Sequence, residues 1–170
     1  MINVVILAAG QGKRMHSRLP KVLQPLAGKP MIEHVLDTVA TLGDVAKTIV
    51  VVGHLAPLVQ ESLKNHPDVQ FVLQEPQLGT GHALQQALPS LDLSAEQTLV
   101  LLGDVPLIQT ETVARLRTVA VDGMALLTTV LRNPTGYGRI LRQKGRIVAI
   151  VEQKDATEGQ KQIREVNTGI

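Results

Sequence analysis

Apolar residues along this chain follow two rhythms. Short runs, Val4-Val5-Ile6-Leu7 and the stretches 48–52, 69–73 and 98–102, are predominantly apolar and rich in β-branched side chains. Runs of that kind, a few residues long, read as strands of a parallel sheet buried on both faces. Between them the spacing changes. Met31, Val35, Val39 and Leu42 recur at helical intervals, with Pro30 placed where a first turn tolerates it and Gly43 as the stop. Residues 55–64, 81–88 (closed by Pro89) and 110–119 read as further helices, and 125–131 as another strand. Strand and helix alternating in this way predict an α/β, Rossmann-like fold: a mostly parallel central sheet with helices on both faces. No repeat or low-complexity stretch interrupts it.

Composition narrows the picture. The chain has 170 residues, 44% hydrophobic and 19% charged, enough for one domain with a substantial core. Phe71 and Tyr137 are the only aromatic residues. The core must therefore be aliphatic, and a base-stacking platform for single-stranded nucleic acid is disfavoured. A net charge of +2 is too small for a polyanion partner but suits a small anionic substrate. The absence of cysteine removes disulfides, thiolate nucleophiles and thiolate metal ligands. With no basic leader and no apolar stretch near the roughly 20 residues of a membrane span, a cytoplasmic protein without a membrane partner is expected.

The first candidate chemistry follows the first strand. Leu7-Ala8-Ala9-Gly10-Gln11-Gly12-Lys13-Arg14-Met15, then Pro20-Lys21, places small residues and cations where a loop leaves the strand's carboxyl end. In open α/β sheets ligands bind at that edge, and small residues let phosphates reach backbone N–H groups. Glycine turns also occur for packing alone; Arg14 and Lys21 favour a phosphate site. The third glycine of a dinucleotide-binding turn is missing, as is any G-x-x-x-x-G-K-[ST], which disfavours hydride-transfer and P-loop enzymes.

Two further segments point to the same edge. In Leu102-Gly103-Asp104-Val105-Pro106-Leu107 a carboxylate stands at the tip of a core strand, and Mg²⁺ is well served by one such carboxylate with phosphate oxygens and water. The alternative is that Asp104 caps the following turn or helix, although Thr110 is better placed as that cap. In Gln74-Glu75-Pro76-Gln77-Leu78-Gly79-Thr80-Gly81-His82-Ala83, the Gln74 amide could pair with a uracil edge, with the backbone of Gly79 and Thr80 beneath the ring. His82 falls in a first helical turn, where packing and catalysis are both open readings.

Taken together with Pro134-Thr135-Gly136-Tyr137-Gly138-Arg139-Ile140, Ile150-Val151-Glu152-Gln153-Lys154-Asp155 and Glu165-Val166-Asn167-Thr168-Gly169-Ile170, these segments resemble the signature of the sugar-phosphate nucleotidyltransferases. The likeness covers essentially the whole chain and sharpens to the N-terminal uridylyltransferase domain of the bifunctional GlmU family. That resemblance implies a Mg²⁺-dependent condensation of UTP with N-acetylglucosamine 1-phosphate to UDP-N-acetylglucosamine and pyrophosphate, supplying peptidoglycan and lipopolysaccharide synthesis. It also implies roles. Leu7, Ala8, Ala9 and Gly10 would contact nucleotide; Gln74, Gly79 and Thr80 would surround uracil; Arg14 and Lys21 would face the phosphates. Asp104 would hold the metal, flanked by Leu102 and Gly103, and Gly138, Glu152 and Asn167 would hold the sugar.

Two departures from the family pattern stand out. Position 13 is Lys where many relatives carry Thr or Ser. Complete family members continue past position 170 with a further metal-ligating Asn, a linker helix and a left-handed β-helix acetyltransferase that builds a homotrimer. The expectation is thus one nucleotidyltransferase domain over 1–170, incomplete at its C-terminus, without acetyltransferase activity or the trimerising element. A nucleotidyltransferase for CTP, GTP or dTTP and a nucleotide-binding fragment without turnover are the competing readings, the former opposed by Gln74 and Asn167-Thr168-Gly169.

Overall fold

The first apolar run becomes β1 (Ile2–Ala8), and its burial explains its composition: Val4, Val5 and Ile6 are all 0% exposed, so successive side chains on opposite faces are both covered. This computed structural model describes residues 1–170 except 11, 13, 14, 16, 121 and 122. Its chain falls into two units, Met1–Arg117 and Thr118–Ile170.

In the first unit β1 is followed by a small hairpin, β2 (Pro25–Leu26) and β3 (Lys29–Pro30), then α1 (Met31–Ala40), β4 (Val45–Val52), α2 (Ala56–Ser62), β5 (Val69–Leu73), α3 (Thr80–Ala87), β6 (Gln97–Leu102) and α4 (Thr110–Val119). The central sheet is parallel throughout, in the order β5-β4-β1-β6. Parallel crossovers are right-handed. The steps β1 to β4 and β4 to β5 run one way and put α1 and α2 on one face. The return from β5 to β6 runs the other way and puts α3 on the opposite face. The packing agrees: Ala83 and Ala87 of α3 lie against Val5, Ile49 and Val51, while Val4, Ile6 and Val50 are buried on the other side.

Boundaries shift in a few places. Pro30 stands one residue before α1 with extended backbone (φ −53°, ψ 140°), as the last residue of the hairpin rather than in the first turn. Thr110 is the first residue of α4, where the Val113 N–H reaches the Gln109 carbonyl; its hydroxyl meets that of Thr41 at 2.7 Å instead of capping.

The second unit differs from the expected βα repeat. It comprises β7 (Thr128–Val130), β8 (Arg139–Gln143), β9 (Arg146–Val151), α5 (Glu158–Lys161) and β10 (Glu165–Asn167). The strand expected over 125–131 shortens to β7 and joins an antiparallel sheet, β7-β10-β8-β9. A two-residue turn, Lys144-Gly145 with φ of 49° and 80°, makes the β8–β9 connection, the geometry that matches strand twist in tight hairpins. Among the described residues no helix is long and apolar enough to cross a membrane.

Candidate active site

Because the four central strands are parallel, their carboxyl ends share one edge. Ala8, Val52 and Leu73 lie in a row across β1, β4 and β5, and Leu7 lies beside Leu102 of β6. Pairing runs one residue past the strands on both sides: the Gly103 N–H donates to the Leu7 carbonyl at 3.0 Å and the Gln74 N–H to the Val52 carbonyl at 2.7 Å. Gln74, one residue past β5, and Asp104, two past β6, are thus held by rigid backbone. The chain leaves β1 toward β4, whereas β6 lies on the other side, so a crevice opens where the strand order reverses.

A cavity of about 530 Å³ occupies that crevice. Its walls include Leu7, Ala8, Ala9, Gly10, Lys21, Gln74, Gly79, Thr80, Leu102 and Asp104, so the positions singled out in sequence for the nucleotide and metal converge on one space. Gly103 sits behind it, bonded to Leu7, and a Cβ there would press on Val22 at 3.0 Å. Arg14 lies outside the described residues. Sequence reasoning missed Val22, Gln77 and Ala83, which also line the cavity. Gln77 carried a legible signal, a second amide three positions after Gln74; Val22 and Ala83 carried none beyond their neighbours.

Charge enters through one pair. The Lys21 ammonium sits on the Asp104 carboxylate, and both side chains are partly exposed to the cavity. Lys21 starts a short 3₁₀ turn, Lys21–Leu23, and its stem lies against the glycine loop. Gly12 there has φ +58°, and a Cβ on it would come within 2.9 Å of the Lys21 Cβ, so only glycine lets the loop pass that close. Asp104 therefore engages a cation instead of capping a turn. It is a lone carboxylate; no group of three or more acidic or imidazole side chains gathers among the described residues. That donor set fits Mg²⁺ carried in with a triphosphate, which contributes most of its own oxygens.

On the far wall α3 points its N-terminus toward the cavity. Gly79 precedes it with φ +102°, no side chain caps it, and Gly79 and Thr80 line the space with first-turn N–H groups that lack helical partners. Gln74 is only 3% exposed. Its Nε2 donates to the Gly79 carbonyl at 2.9 Å and lies 3.2 Å from His82 Nδ1, whose other ring nitrogen is 3.0 Å from Gln86 Nε2. His82 is half-buried and is not a wall of the cavity; it is a polar structural support behind Gln74.

The second unit gathers the three positions expected for a sugar. Gly138 is buried, with Glu152 Oε1 just 3.1 Å from where its Cβ would be. The Asn167 N–H donates to the Gly138 carbonyl at 2.9 Å, and Asn167 Oδ1 accepts from the Gly169 N–H at 3.1 Å. Between them lies Arg139, 1% exposed. Its guanidinium donates to the Tyr137 carbonyl, to Gln153 Oε1 at 2.6 Å and to the Lys161 carbonyl at 3.4 Å, while among the described residues Nε has no partner. Nearby, Arg142 grips Glu165 through two bonds of 2.8 and 2.7 Å, and this, helped by the Thr128 hydroxyl, lowers the Glu165 carboxyl to about 2.

The chain is similar to known proteins. A family model described as a MobA-like NTP transferase domain matches residues 4–166. Proteins named bifunctional protein GlmU are 58% identical in Paraburkholderia phymatum and 59% identical in Azoarcus sp., each over 99% of this chain. The chain spans 37% of the length of those relatives. Among solved structures, HddC from Yersinia pseudotuberculosis superposes with a TM-score of 0.71 at 22% identity, covering 99% of this chain and 75% of that one. Such a likeness shows a shared fold. The match over nearly the full length, on a chain whose glycine loop and Lys21–Asp104 pair face one cavity, places the chain in the MobA-like NTP transferase family.

Proposed function

We propose that the chain is the uridylyl-transferring part of a GlmU-type enzyme, joining UTP to N-acetylglucosamine 1-phosphate to give UDP-N-acetylglucosamine and pyrophosphate. The observation that carries this reading is the convergence of the small-residue loop, the Lys21–Asp104 pair and Gln74 on one cavity. The GlmU relatives support the choice of nucleotide and sugar.

The sugar phosphate attacks the α-phosphorus in line: a bond forms from its oxygen to that phosphorus as the bond to the β-phosphate bridging oxygen breaks, and the electron pair leaves with pyrophosphate. The attacking oxygen is already ionised at neutral pH, so no side-chain base is needed. Repulsion between anions is the obstacle. Lys21, drawn off Asp104 when phosphates enter, stabilises charge building on the α-phosphoryl group and the leaving group. Backbone N–H groups of the small-residue loop at Gly10 receive phosphate oxygens without reorganising, while Gly79 and Thr80 lie against the base. Asp104 would hold Mg²⁺, which when bound neutralises triphosphate oxygens. Gln74 reads the base, Arg14 is assigned to the phosphates on sequence grounds, and Gly138, Glu152 and Asn167 are assigned to the N-acetylglucosamine.

The test is Mg²⁺-dependent pyrophosphate release from UTP and N-acetylglucosamine 1-phosphate, with CTP, glucose 1-phosphate and Asp104→Ala as controls. Release confined to the cognate pair and lost in the variant supports the reading. Release with another pair assigns a different nucleotidyltransferase, and UTP binding without release leaves a nucleotide-binding domain.

A further inference from the structure

The orientation of the Gln74 amide follows from its neighbours. A backbone carbonyl can only accept, so the atom 2.9 Å from the Gly79 oxygen must be the amide nitrogen. The same nitrogen lies 3.2 Å from His82 Nδ1. It has two N–H bonds, one for each neighbour. Nδ1 therefore accepts, the ring proton resides on Nε2, and Gln86, 3.0 Å away, satisfies it by turning its oxygen to the ring. Both donors of Gln74 are thus directed into the protein. Among the described residues no donor meets its oxygen, and Gln74 lines the cavity, so an acceptor is what it offers to a ligand.

We propose that His82 is a positioning residue for base selection: it locks the Gln74 carboxamide with its oxygen outward, so that the site takes a pyrimidine carrying N–H at ring position 3 and rejects one carrying a lone pair there. This rests on the reading above, in which Gln74 meets the base edge. A pyrimidine nucleotide anchored through its phosphates presents the same ring position to Gln74 whichever base it carries. Uracil and thymine have an N–H at that position and cytosine an acceptor, which would oppose the amide oxygen. Without His82 only the Gly79 carbonyl opposes a turn of the amide, so its orientation is held less firmly and the discrimination weakens.

The experiment measures binding of UTP, dTTP and CTP by calorimetry to the whole chain, to His82→Leu, and to His82→Asn, whose Oδ1 replaces Nδ1 as acceptor. Wild type should prefer UTP and dTTP over CTP by on the order of 10- to 100-fold, the cost of one mispaired buried group. His82→Leu should narrow that preference several-fold, and His82→Asn should restore it. Equal weakening of all three in His82→Leu, with their ratio kept, would mean a structural role only and overturns the proposal, as does a wild type that prefers CTP, shows no preference or binds none. If His82→Leu does not fold, a scalar coupling across the hydrogen bond between Gln74 Nε2 and His82 Nδ1, read by ¹⁵N NMR of wild type, decides: its presence supports the lock, and a proton on Nδ1 refutes it. Preference for UTP and dTTP with transfer to a different sugar phosphate would defeat the proposed reaction while leaving this inference intact.

Discussion

The two units solve the same problem, holding short polar segments in place, by opposite means. Met1–Arg117 does it with a parallel sheet whose central side chains are fully buried, so that loops leaving one edge inherit the rigidity of the strands. Thr118–Ile170 buries few apolar side chains, Ile140, Ala156, Val166 and Ile170 among the described residues, and leaves Val148 of β9 57% exposed. Its central element is Arg139, whose guanidinium ties the segments that carry Gly138 and Glu152 while its backbone pairs with Val166, next to Asn167. The lesson is that burial of apolar surface and a polar clamp are interchangeable ways to position a site, but they fail under different perturbations.

The largest expected effect separates chemistry from folding. Lys21→Met should lower turnover by about 10²- to 10³-fold, as loss of a cation facing a transferring phosphoryl group does, while thermal unfolding shifts by no more than a few degrees. Pyrophosphate release and a melting curve on the same sample check both halves. A melting loss that accounts for the missing turnover would make the pair a structural strut.

Next comes the clamp itself. Arg139→Met should cost the second unit about 2–3 kcal/mol, because the carbonyls and amide it satisfies are left without a donor. Amide hydrogen exchange should then speed up at Ile140 and Val166 and stay unchanged at Val5 and Ile6. Equal acceleration in both units would erase the contrast drawn above.

A smaller effect is expected at the loop. Gly12→Ala puts a Cβ at a left-handed backbone position and against the Lys21 stem, at a cost of about 1–2 kcal/mol. Denaturant unfolding measures that loss, and weaker UTP binding than in wild type would show that the loop and Lys21 move as one.

The smallest effect depends on acidity. Glu165 is held at about 2 in the folded chain against an ordinary 4.5. A lowered carboxyl stabilises the fold fully above the ordinary value and progressively less as pH falls toward 2. Arg142 is exposed, so the amount is on the order of 1 kcal/mol after solvent screening. Stability of the second unit followed by hydrogen exchange between pH 5 and pH 2.5 should fall more steeply in wild type than in Arg142→Gln.

The same contrast decides what could be read from sequence. The strand at 48–52 was legible because burial on both faces forces an aliphatic run, and those at 69–73 and 98–102 because they are apolar and bounded by turns; their order placed Gln74 and Asp104 at one edge. In the second unit β9 carries such a run, Ile147–Val151, which went unread as a strand, whereas β8 and β10 carry none. They alternate around a buried arginine, and hydrophobic periodicity cannot distinguish an arginine that fills a core from one that faces water. The segments expected to hold the sugar were recognised only through family likeness. His82 was ambiguous for a related reason: its role resides in which ring nitrogen carries the proton, and that depends on Gly79 and Gln86 being where the fold brings them.

The sheet order β5-β4-β1-β6 also sets a timetable. The strand beside β1 on one flank is the last of the four to be synthesised, so Asp104 meets Lys21 only once the entire parallel sheet exists. Every described residue lining the cavity has left the ribosome when Asp104 has. At roughly 5–20 residues per second, later residues follow within seconds. A nascent chain with α4 wholly outside the ribosome should therefore already present the complete cavity to a nucleotide, while the second unit is still emerging.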